Sequence, residues 1–81
     1  MNDQKTKCLV AAQIGVGYWG PNLLRNLHSN RRFSIKRVVD RSTERQDFVR
    51  SNYPGLDVSG NVDDIFSDKD IDAVVISTPV A

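Results

Sequence analysis

The chain has 81 residues, of which 40% are hydrophobic and 26% charged, and its formal net charge is +1. This composition predicts a single small soluble globular unit, because the chain is shorter than the usual domain of about 100–150 residues. The mixed, nearly balanced charges argue against an electrostatic nucleic-acid binder. No apolar run is long enough to cross a bilayer, and the polar leader over residues 1–7 lacks the apolar core of a signal peptide.

A single cysteine, Cys8, excludes an intrachain disulfide and predicts a reducing, cytoplasmic setting. We expect Cys8 to be a buried small residue, and His28, the only histidine, to lie at the surface. The charged clusters are expected to be solvated faces: Arg31, Arg32, Lys36 and Arg37, and Asp63, Asp64, Asp68 and Asp70. The sequence holds no Ser/His/Asp, Cys/His or metal-ligand constellation, so it predicts no catalytic and no metal-binding residue.

The first predicted elements are a buried strand and an amphipathic helix. The run from Cys8 to Gly15 is almost continuously apolar, as expected for a strand that is covered on both faces. The helix is predicted from the i, i+3, i+4, i+7 spacing of Gly20, Leu23, Leu24 and Leu27.

A second strand and a second helix follow in the same order. The strand is predicted from Phe33 to Asp40, and the helix begins after a cap at Ser42 or Thr43 and continues to about Asn52. Pro54-Gly55 ends this helix, because proline cannot continue it.

The remaining elements are two short segments and one strong strand. Leu56 to Gly60 is predicted to be a weak strand, and Asn61 with Asp64 resembles a capping box for a short helix. Asp72 to Pro79 is rich in β-branched residues and is the strongest strand in the sequence.

The resulting β-α-β-α-β-α-β order predicts an α/β fold, with a parallel sheet and right-handed crossovers. A doubly wound arrangement places the strands in the spatial order 3-2-1-4. We therefore expect residues 8–81 to form the N-terminal half of a Rossmann-type dinucleotide-binding domain, truncated after the first strand of its second half.

Gly15, Gly17 and Gly20 form a G-x-G-x-x-G pattern between the first strand and the first helix. Alone the pattern is weak evidence, since glycines also occur in ordinary tight turns. Here Gly15 permits a sharp turn, Gly17 lets the backbone approach a pyrophosphate, and Gly20 allows close packing of helix on strand. The helix N-terminus offers free N–H groups to phosphates. This context favours a dinucleotide cradle over a plain turn.

Asp40 ends the second strand, 20 residues after Gly20, where a carboxylate can accept hydrogen bonds from the adenosine ribose. A carboxylate there also repels a 2′-phosphate, so NAD is favoured over NADP. Arg41 leaves the choice open, because its guanidinium could face a phosphate or stack on the adenine. A solvated residue that starts a turn is the alternative interpretation of Asp40.

Ser77 and Thr78 end the fourth strand, which the predicted order places beside the first. Ligands bind in the crevice where the strand order reverses, so these residues could line the nicotinamide side. The alternative is a plain exit from strand to loop.

Three stretches, "IGVGYWGPNLLRNL", "VVDRS" and "DIDAVVISTP", resemble the start of the Gfo/Idh/MocA family of sugar-type oxidoreductases. The "GYWGPN" wording is most similar to the branch that oxidises nucleotide-linked sugars, such as UDP-N-acetylglucosamine 3-dehydrogenases. The resemblance covers Cys8 to Ala81, and it implies NAD as the cofactor.

By this resemblance three groups of residues contact the cofactor. The pyrophosphate is held by Gly15, Gly17, Tyr18, Trp19 and Gly20. Asp40 and Arg41 contact the adenosine end, and Ser77, Thr78 and Pro79 approach the nicotinamide ribose.

Members of the family move a hydride between a sugar carbon and nicotinamide, with a lysine of a Glu-Lys-Pro motif as acid or base. The 81 residues contain no such triplet. We therefore expect a cofactor-binding half that binds NAD weakly and is not catalytic by itself, from a parent NAD-dependent oxidoreductase.

The last strand, Ala73 to Ser77, would be an edge of the sheet, so we expect a homodimer formed through it, and no nucleic-acid or membrane partner. Three other functions stay open. The chain could be a self-standing nucleotide-binding regulatory module, the start of an S-adenosylmethionine methyltransferase, or a folded fragment without a ligand. The G-x-G-x-x-G spacing favours a dinucleotide over S-adenosylmethionine.

Overall fold

The computed structural model describes residues 8–16 and 20–77. Over these ranges strands and helices alternate strictly along the chain: β1 (Leu9–Ile14), α1 (Gly20–Ser29), β2 (Phe33–Val39), α2 (Thr43–Asn52), β3 (Asp57–Ser59), α3 (Asp63–Phe66) and β4 (Ala73–Ile76). The strands form one sheet in the order β3-β2-β1-β4, and every neighbouring pair is parallel. The predicted α/β fold class and the 3-2-1-4 order are confirmed.

The two faces of the sheet carry separate apolar clusters. Ala11 of β1 packs with residues from α1 and α2 on one face, and its neighbour Ala12 packs with Val39 and with Ile65 of α3 on the other. Side chains alternate across a strand, so consecutive residues of β1 serve opposite faces. Leu24 and Val49, which are fully buried, are the main contributions of α1 and α2 to the first face.

The helical stripe predicted for α1 is only partly buried. Leu24 is fully buried and Leu27 packs against the same cluster, whereas Leu23 is 36% exposed. A helix of ten residues that lies on one side of a small sheet turns part of its apolar stripe toward solvent.

A β-bulge interrupts the pairing of β1 with β2. Ala11 is paired with Ile35, but the next residue, Ala12, is paired with Arg37, so Lys36 is the extra residue. The bulge explains why apolar residues of β2 do not follow a period of two. Ile35 and Val38 both reach the same cluster, although three positions separate them.

Of the two predicted caps of α2, Ser42 is the one used. It has extended backbone dihedral angles, and its hydroxyl accepts a hydrogen bond from the backbone N–H of Arg45 at 3.3 Å. The capping box predicted for α3 is wrong. Asn61 Oδ1 accepts from the N–H of Asp63 at 2.9 Å, but Asp64 turns away and accepts from the Ser59 hydroxyl at 2.6 Å.

The prediction that Cys8 is buried is wrong, because Cys8 lies just before β1 and is exposed, with its Sγ 3.1 Å from the carbonyl oxygen of Arg31. The prediction for His28 is confirmed: it is exposed, and its ring lies 4.8 Å from that of Tyr53.

The two charged faces are not simply solvated. Lys36 Nζ lies 2.7 Å from Asp68 Oδ2 and 3.3 Å from Asp70 Oδ2. Lys36, which lies on β2 and belongs to the basic cluster, is therefore ion-paired with two members of the acidic cluster. Arg37 approaches the same Asp68 carboxylate at 3.6 Å and that of Asp57 at 3.5 Å. No helix within residues 8–16 and 20–77 is both long enough and apolar enough to cross a membrane.

Candidate functional site

The candidate site lies at the carboxyl edge of the sheet, where β1 is flanked by β2 and β4. Because all three strands are parallel, the residues that follow them meet at one edge. The chain leaves β1 toward β2 in one direction, and β4 lies on the other side, so the strand order reverses between β1 and β4. In open α/β sheets, ligands bind outside the strand ends at such a point.

A sharp turn at Gly15 joins the three strand ends. Gly15 has a φ of 87°, the positive range that residues with a Cβ rarely adopt. Its N–H donates to the carbonyl of Val39 at the end of β2, at 2.7 Å. Ser77, directly after β4, donates its N–H to the carbonyl of Ile14 at 2.7 Å. Ser77 is therefore beside the start of the loop, and its contact with a cofactor stays a prediction.

The first helix presents its positive end to this edge. α1 begins at Gly20, and its first turn contains no acidic residue, whereas α2 has Glu44 in its first turn and α3 has Asp63 and Asp64. The orphan N–H groups of a helix start attract anions, and an acidic side chain there would compete with a phosphate. Among the helices of residues 20–77, α1 is the one whose start is electrostatically suited to phosphate.

Asp40 faces the glycine turn from the end of β2. Its Oδ2 accepts a hydrogen bond from the N–H of Val16 at 2.7 Å, and its Oδ1 accepts from the N–H of Ser42 at 2.9 Å. The Asp40 backbone is held as well, because Gln46 Nε2 donates to its carbonyl at 2.7 Å. The carboxylate is thus oriented by the turn after β1 and by the N-cap residue of α2.

This carboxylate retains acceptor capacity for a ligand. Two carboxylate oxygens offer about four lone-pair sites, of which the N–H groups of Val16 and Ser42 use two. Asp40 is partly exposed, and Arg41, next in the chain, is exposed. The Asp40 side chain can therefore be reached from the solvent side.

Five of the predicted site residues lie outside the described part of the chain: Gly17, Tyr18, Trp19, Thr78 and Pro79. The structure brings together the others, namely Gly15, Gly20, Asp40, Arg41 and Ser77, at one edge of the sheet.

Sequence reasoning missed three residues that support the turn: Gln13, Val16 and Ser42. Gln13 is fully buried and donates from Nε2 to the carbonyl of Gly15 at 2.9 Å. A usable signal existed, because Gln13 is the one polar residue inside an otherwise apolar strand. Val16 and Ser42 act through their backbone N–H groups, for which a sequence carries no signal.

A concavity lies at the opposite end of the sheet. It has a volume of about 480 Å³ and is lined by residues at the strand starts, among them Cys8, Val10, Lys36 and Asp72. Ligand sites of parallel α/β sheets occur at the carboxyl ends of the strands, so this concavity is separate from the candidate site.

The turn, the helix start and the acidic residue after β2 together define the class: a dinucleotide-binding α/β domain. A family model described as "Oxidoreductase family, NAD-binding Rossmann fold" matches residues 9–81. The chain belongs to this family, Gfo/Idh/MocA. The matched part is the NAD-binding domain of the family, so the prediction of NAD as the cofactor is confirmed at that level.

Solved structures support the same assignment. GenD2 from gentamicin A biosynthesis, in complex with NAD, is 27% identical with a TM-score of 0.82; the match covers 93% of this chain and 21% of that chain. A myo-inositol dehydrogenase from Corynebacterium glutamicum is also 27% identical, with a TM-score of 0.75 and coverage of 89% and 21%.

A third structure shows likeness of fold alone. A scyllo-inositol dehydrogenase from Lactobacillus casei, with bound NAD(H) and scyllo-inositol, is 22% identical with a TM-score of 0.79; the match covers 90% of this chain and 22% of that one. The present chain thus spans about a fifth of the length of these structures. A comparison with curated proteins found no match.

Proposed function

We propose that this chain is the N-terminal, NAD(H)-binding half of the Rossmann domain of a sugar oxidoreductase. The observation that carries the proposal is the 2.7 Å hydrogen bond between the Asp40 carboxylate and the N–H of Val16. It joins the acidic residue after β2 to the glycine turn after β1, and these are the two parts that a dinucleotide bridges.

In this proposal each group of residues contacts one part of the cofactor. Asp40 and Arg41 bind the adenosine ribose, and Ser77, Thr78 and Pro79 lie near the nicotinamide ribose. The pyrophosphate is held by Gly15, Gly17, Tyr18, Trp19 and Gly20. The electrostatics of the α1 start support the phosphate contact, since its first turn lacks an acid.

The reaction we propose for the longer protein is hydride transfer between a sugar carbon and nicotinamide. GenD2, from gentamicin A biosynthesis, and the myo-inositol dehydrogenase support a substrate rich in hydroxyl groups. The "GYWGPN" stretch supports a nucleotide-linked sugar, as in the UDP-N-acetylglucosamine 3-dehydrogenase branch. The 81 residues contribute cofactor binding, and no residue among them is assigned a catalytic role.

Titration of the 81-residue chain with NADH, NAD and NADP tests the proposal. Trp19 is the only tryptophan and belongs to the proposed pyrophosphate loop, so its fluorescence should change on binding. We expect saturable binding of NADH, weaker binding of NADP and no binding of S-adenosylmethionine. Loss of a hydrogen bond to a charged group costs about 1.5–3 kcal/mol, so Asp40→Ala should weaken NADH binding roughly tenfold or more.

Asp47→Ala is the matched control, because Asp47 is an exposed aspartate of α2 that pairs only with Arg50 among its described neighbours. Its affinity for NADH should equal that of the wild type. Absence of a saturable response from a sample shown to be folded by circular dichroism would contradict the proposal and leave a folded unit without this ligand. Binding of S-adenosylmethionine would favour the methyltransferase alternative.

We also propose that the 81-residue chain forms a homodimer through β4. Within the described residues β4 pairs only with β1, so its outer edge carries backbone groups without a strand partner. Ala73–Ile76 contains no charged residue or proline that would discourage pairing, and Val74 and Ile76 are exposed.

A further inference from the structure

Gln13 stands out because it is a fully buried polar side chain in the central strand. Within residues 8–16 and 20–77 it is the one polar or charged residue in the buried class. Burial of an amide is unfavourable unless its hydrogen bonds are formed, and strands covered on both faces usually carry Val, Ile or Leu. An amide at this position therefore points to specific hydrogen bonding, which includes the bond from Nε2 to the Gly15 carbonyl at 2.9 Å.

The bond acts on a single peptide plane. The carbonyl of Gly15 and the N–H of Val16 belong to the same planar peptide unit. Gln13 holds the carbonyl end of this unit at 2.9 Å, and Asp40 holds the N–H end at 2.7 Å. The preceding amide is fixed too, by its bond to Val39 at 2.7 Å.

Without these partners the unit would have rotational freedom. Glycine accesses positive and negative φ about equally, so the φ of 87° at Gly15 is one of several accessible conformations. Rotation of the Gly15–Val16 peptide would withdraw the N–H from Asp40. It would also change the direction in which the chain leaves β1 toward α1.

We propose that Gln13 is a positioning residue for dinucleotide binding. By fixing the Gly15–Val16 peptide from the core side, it preorganises the glycine turn and keeps the Asp40 carboxylate oriented for the ribose. This inference rests on the proposed function, because it assumes that the turn and Asp40 bind NAD(H). A preorganised loop loses less conformational entropy when the ligand binds, so the ligand binds more tightly.

Gln13→Met is the sharpest variant. Methionine is unbranched and close to glutamine in length, suits a buried strand, and cannot donate a hydrogen bond to Gly15. Three quantities are to be measured: the Kd for NADH by Trp19 fluorescence, the midpoint of thermal unfolding, and the hydrogen-exchange rates of the Gly15 and Val16 amides without ligand. The matched control is Ile65→Val, which thins the core on the opposite face of the sheet.

We expect Gln13→Met to raise the Kd for NADH about three- to tenfold, the range of one hydrogen bond. The unfolding midpoint should fall as well, because the buried Gly15 carbonyl loses its donor. Exchange of the Val16 amide should accelerate. Ile65→Val should lower the midpoint and leave both the Kd and Val16 exchange unchanged. A merely structural role of Gln13 would change the midpoint and not the affinity.

Two outcomes would overturn the inference, and they distinguish failure of the positioning role from failure of the proposed function. If Gln13→Met binds NADH as the wild type does while Asp40→Ala does not, the function stands and the positioning role is wrong. If the folded wild type itself fails to bind NADH, the proposed function fails and the inference falls with it.

Discussion

At the scale of single residues, the described glycines differ in what their backbones require. Gly15 has a φ of 87°, in the range where a Cβ collides with the backbone. Gly55, in the turn after α2, is not in that range, and a Cβ built on it would meet no atom within 4 Å. We therefore expect replacement by alanine to have opposite effects on the free energy of unfolding at these two positions.

Gly15→Ala should destabilise the fold by about 1–2 kcal/mol, the cost of left-handed backbone in a residue with a Cβ. Gly55→Ala should stabilise it by about 0.4–1 kcal/mol, because alanine lowers the entropy of the unfolded chain. Urea denaturation of both variants and the wild type measures the free energies of unfolding. Equal changes in the free energy of unfolding, in the same direction for both variants, would contradict the conclusion that the turn requires a glycine at position 15.

At the scale of elements, the β-bulge at Lys36 determines which charges meet. The extra residue in β2 leaves two consecutive cations, Lys36 and Arg37, both within reach of the Asp68 carboxylate on the segment between α3 and β4. The Asp68 side chain is only 11% exposed, and its Oδ1 accepts a hydrogen bond from the N–H of Asp70 at 2.9 Å. The cluster ties this segment to β2.

The pKa values of the cluster shift in opposite directions. The hydrogen bond from Lys36, followed by that from the Asp70 backbone, lowers the pKa of Asp68 below its ordinary value. The same hydrogen bond to Asp68 raises the pKa of Lys36 above its ordinary value. Each group therefore stabilises the folded state while it is charged.

Stability should consequently depend on pH at both extremes. A carboxyl group whose pKa is lowered by folding stabilises the folded state at pH values above its unfolded pKa. This contribution is lost as the pH falls below about 4 and passes through the folded pKa. A lysine whose pKa is raised by folding stabilises the folded state at pH values below its unfolded pKa. This contribution is lost as the pH rises above about 10.5. The difference in unfolding free energy between wild type and Asp68→Asn should be constant from about pH 5 to 9 and shrink outside this window.

Urea denaturation across this pH range measures that difference. Asp70→Asn is the matched control, because Asp70 contacts the same Lys36 at 3.3 Å but its side chain is 79% exposed. Its effect should be small at every pH, since exposed pairs contribute little. A pH-independent difference for Asp68→Asn would show that the carboxylate acts through packing and not through its charge.

At the scale of the whole molecule, the sheet has two edges of different character. The outer strand β3 has three residues and carries Asp57. The other outer strand, β4, has four uncharged residues, of which Val74 is 37% and Ile76 66% exposed. Short or charged edge strands resist pairing with another chain, and uncharged apolar ones invite it.

The 81-residue chain should therefore elute from size exclusion as a species of twice the monomer mass by light scattering, at micromolar concentration. Ile76→Lys should give a monomer, because a lysine on an edge strand opposes pairing. Phe66→Lys, which replaces a residue of α3 that is 69% exposed, should leave the dimer intact and serves as the control. A monomeric wild type, or two variants that respond alike, would contradict dimerisation through β4.

The fold was predictable because its signals are local. The apolar run of β1, the stripe of α1, the Ser42 cap and the Pro54-Gly55 stop each depend on residues a few positions apart, and together they specify the alternation and hence the sheet order. Asp40 was predictable for the same reason, since the end of a strand is a local property. The bulge at Lys36 was not, because the register depends on how two distant strands pack.

What the sequence by itself determined is the order and kind of the elements, the family to which the chain belongs and the placement of Gly15 and Asp40 at strand ends. What only the tertiary structure decided is which distant groups meet: Asp40 with the N–H of Val16, 24 positions away, and Lys36 with Asp68. Helix and strand periodicity arises from neighbouring residues, so it can be read along the chain. The partners of polar groups depend on strand register and crossovers, which exist only once the chain has folded.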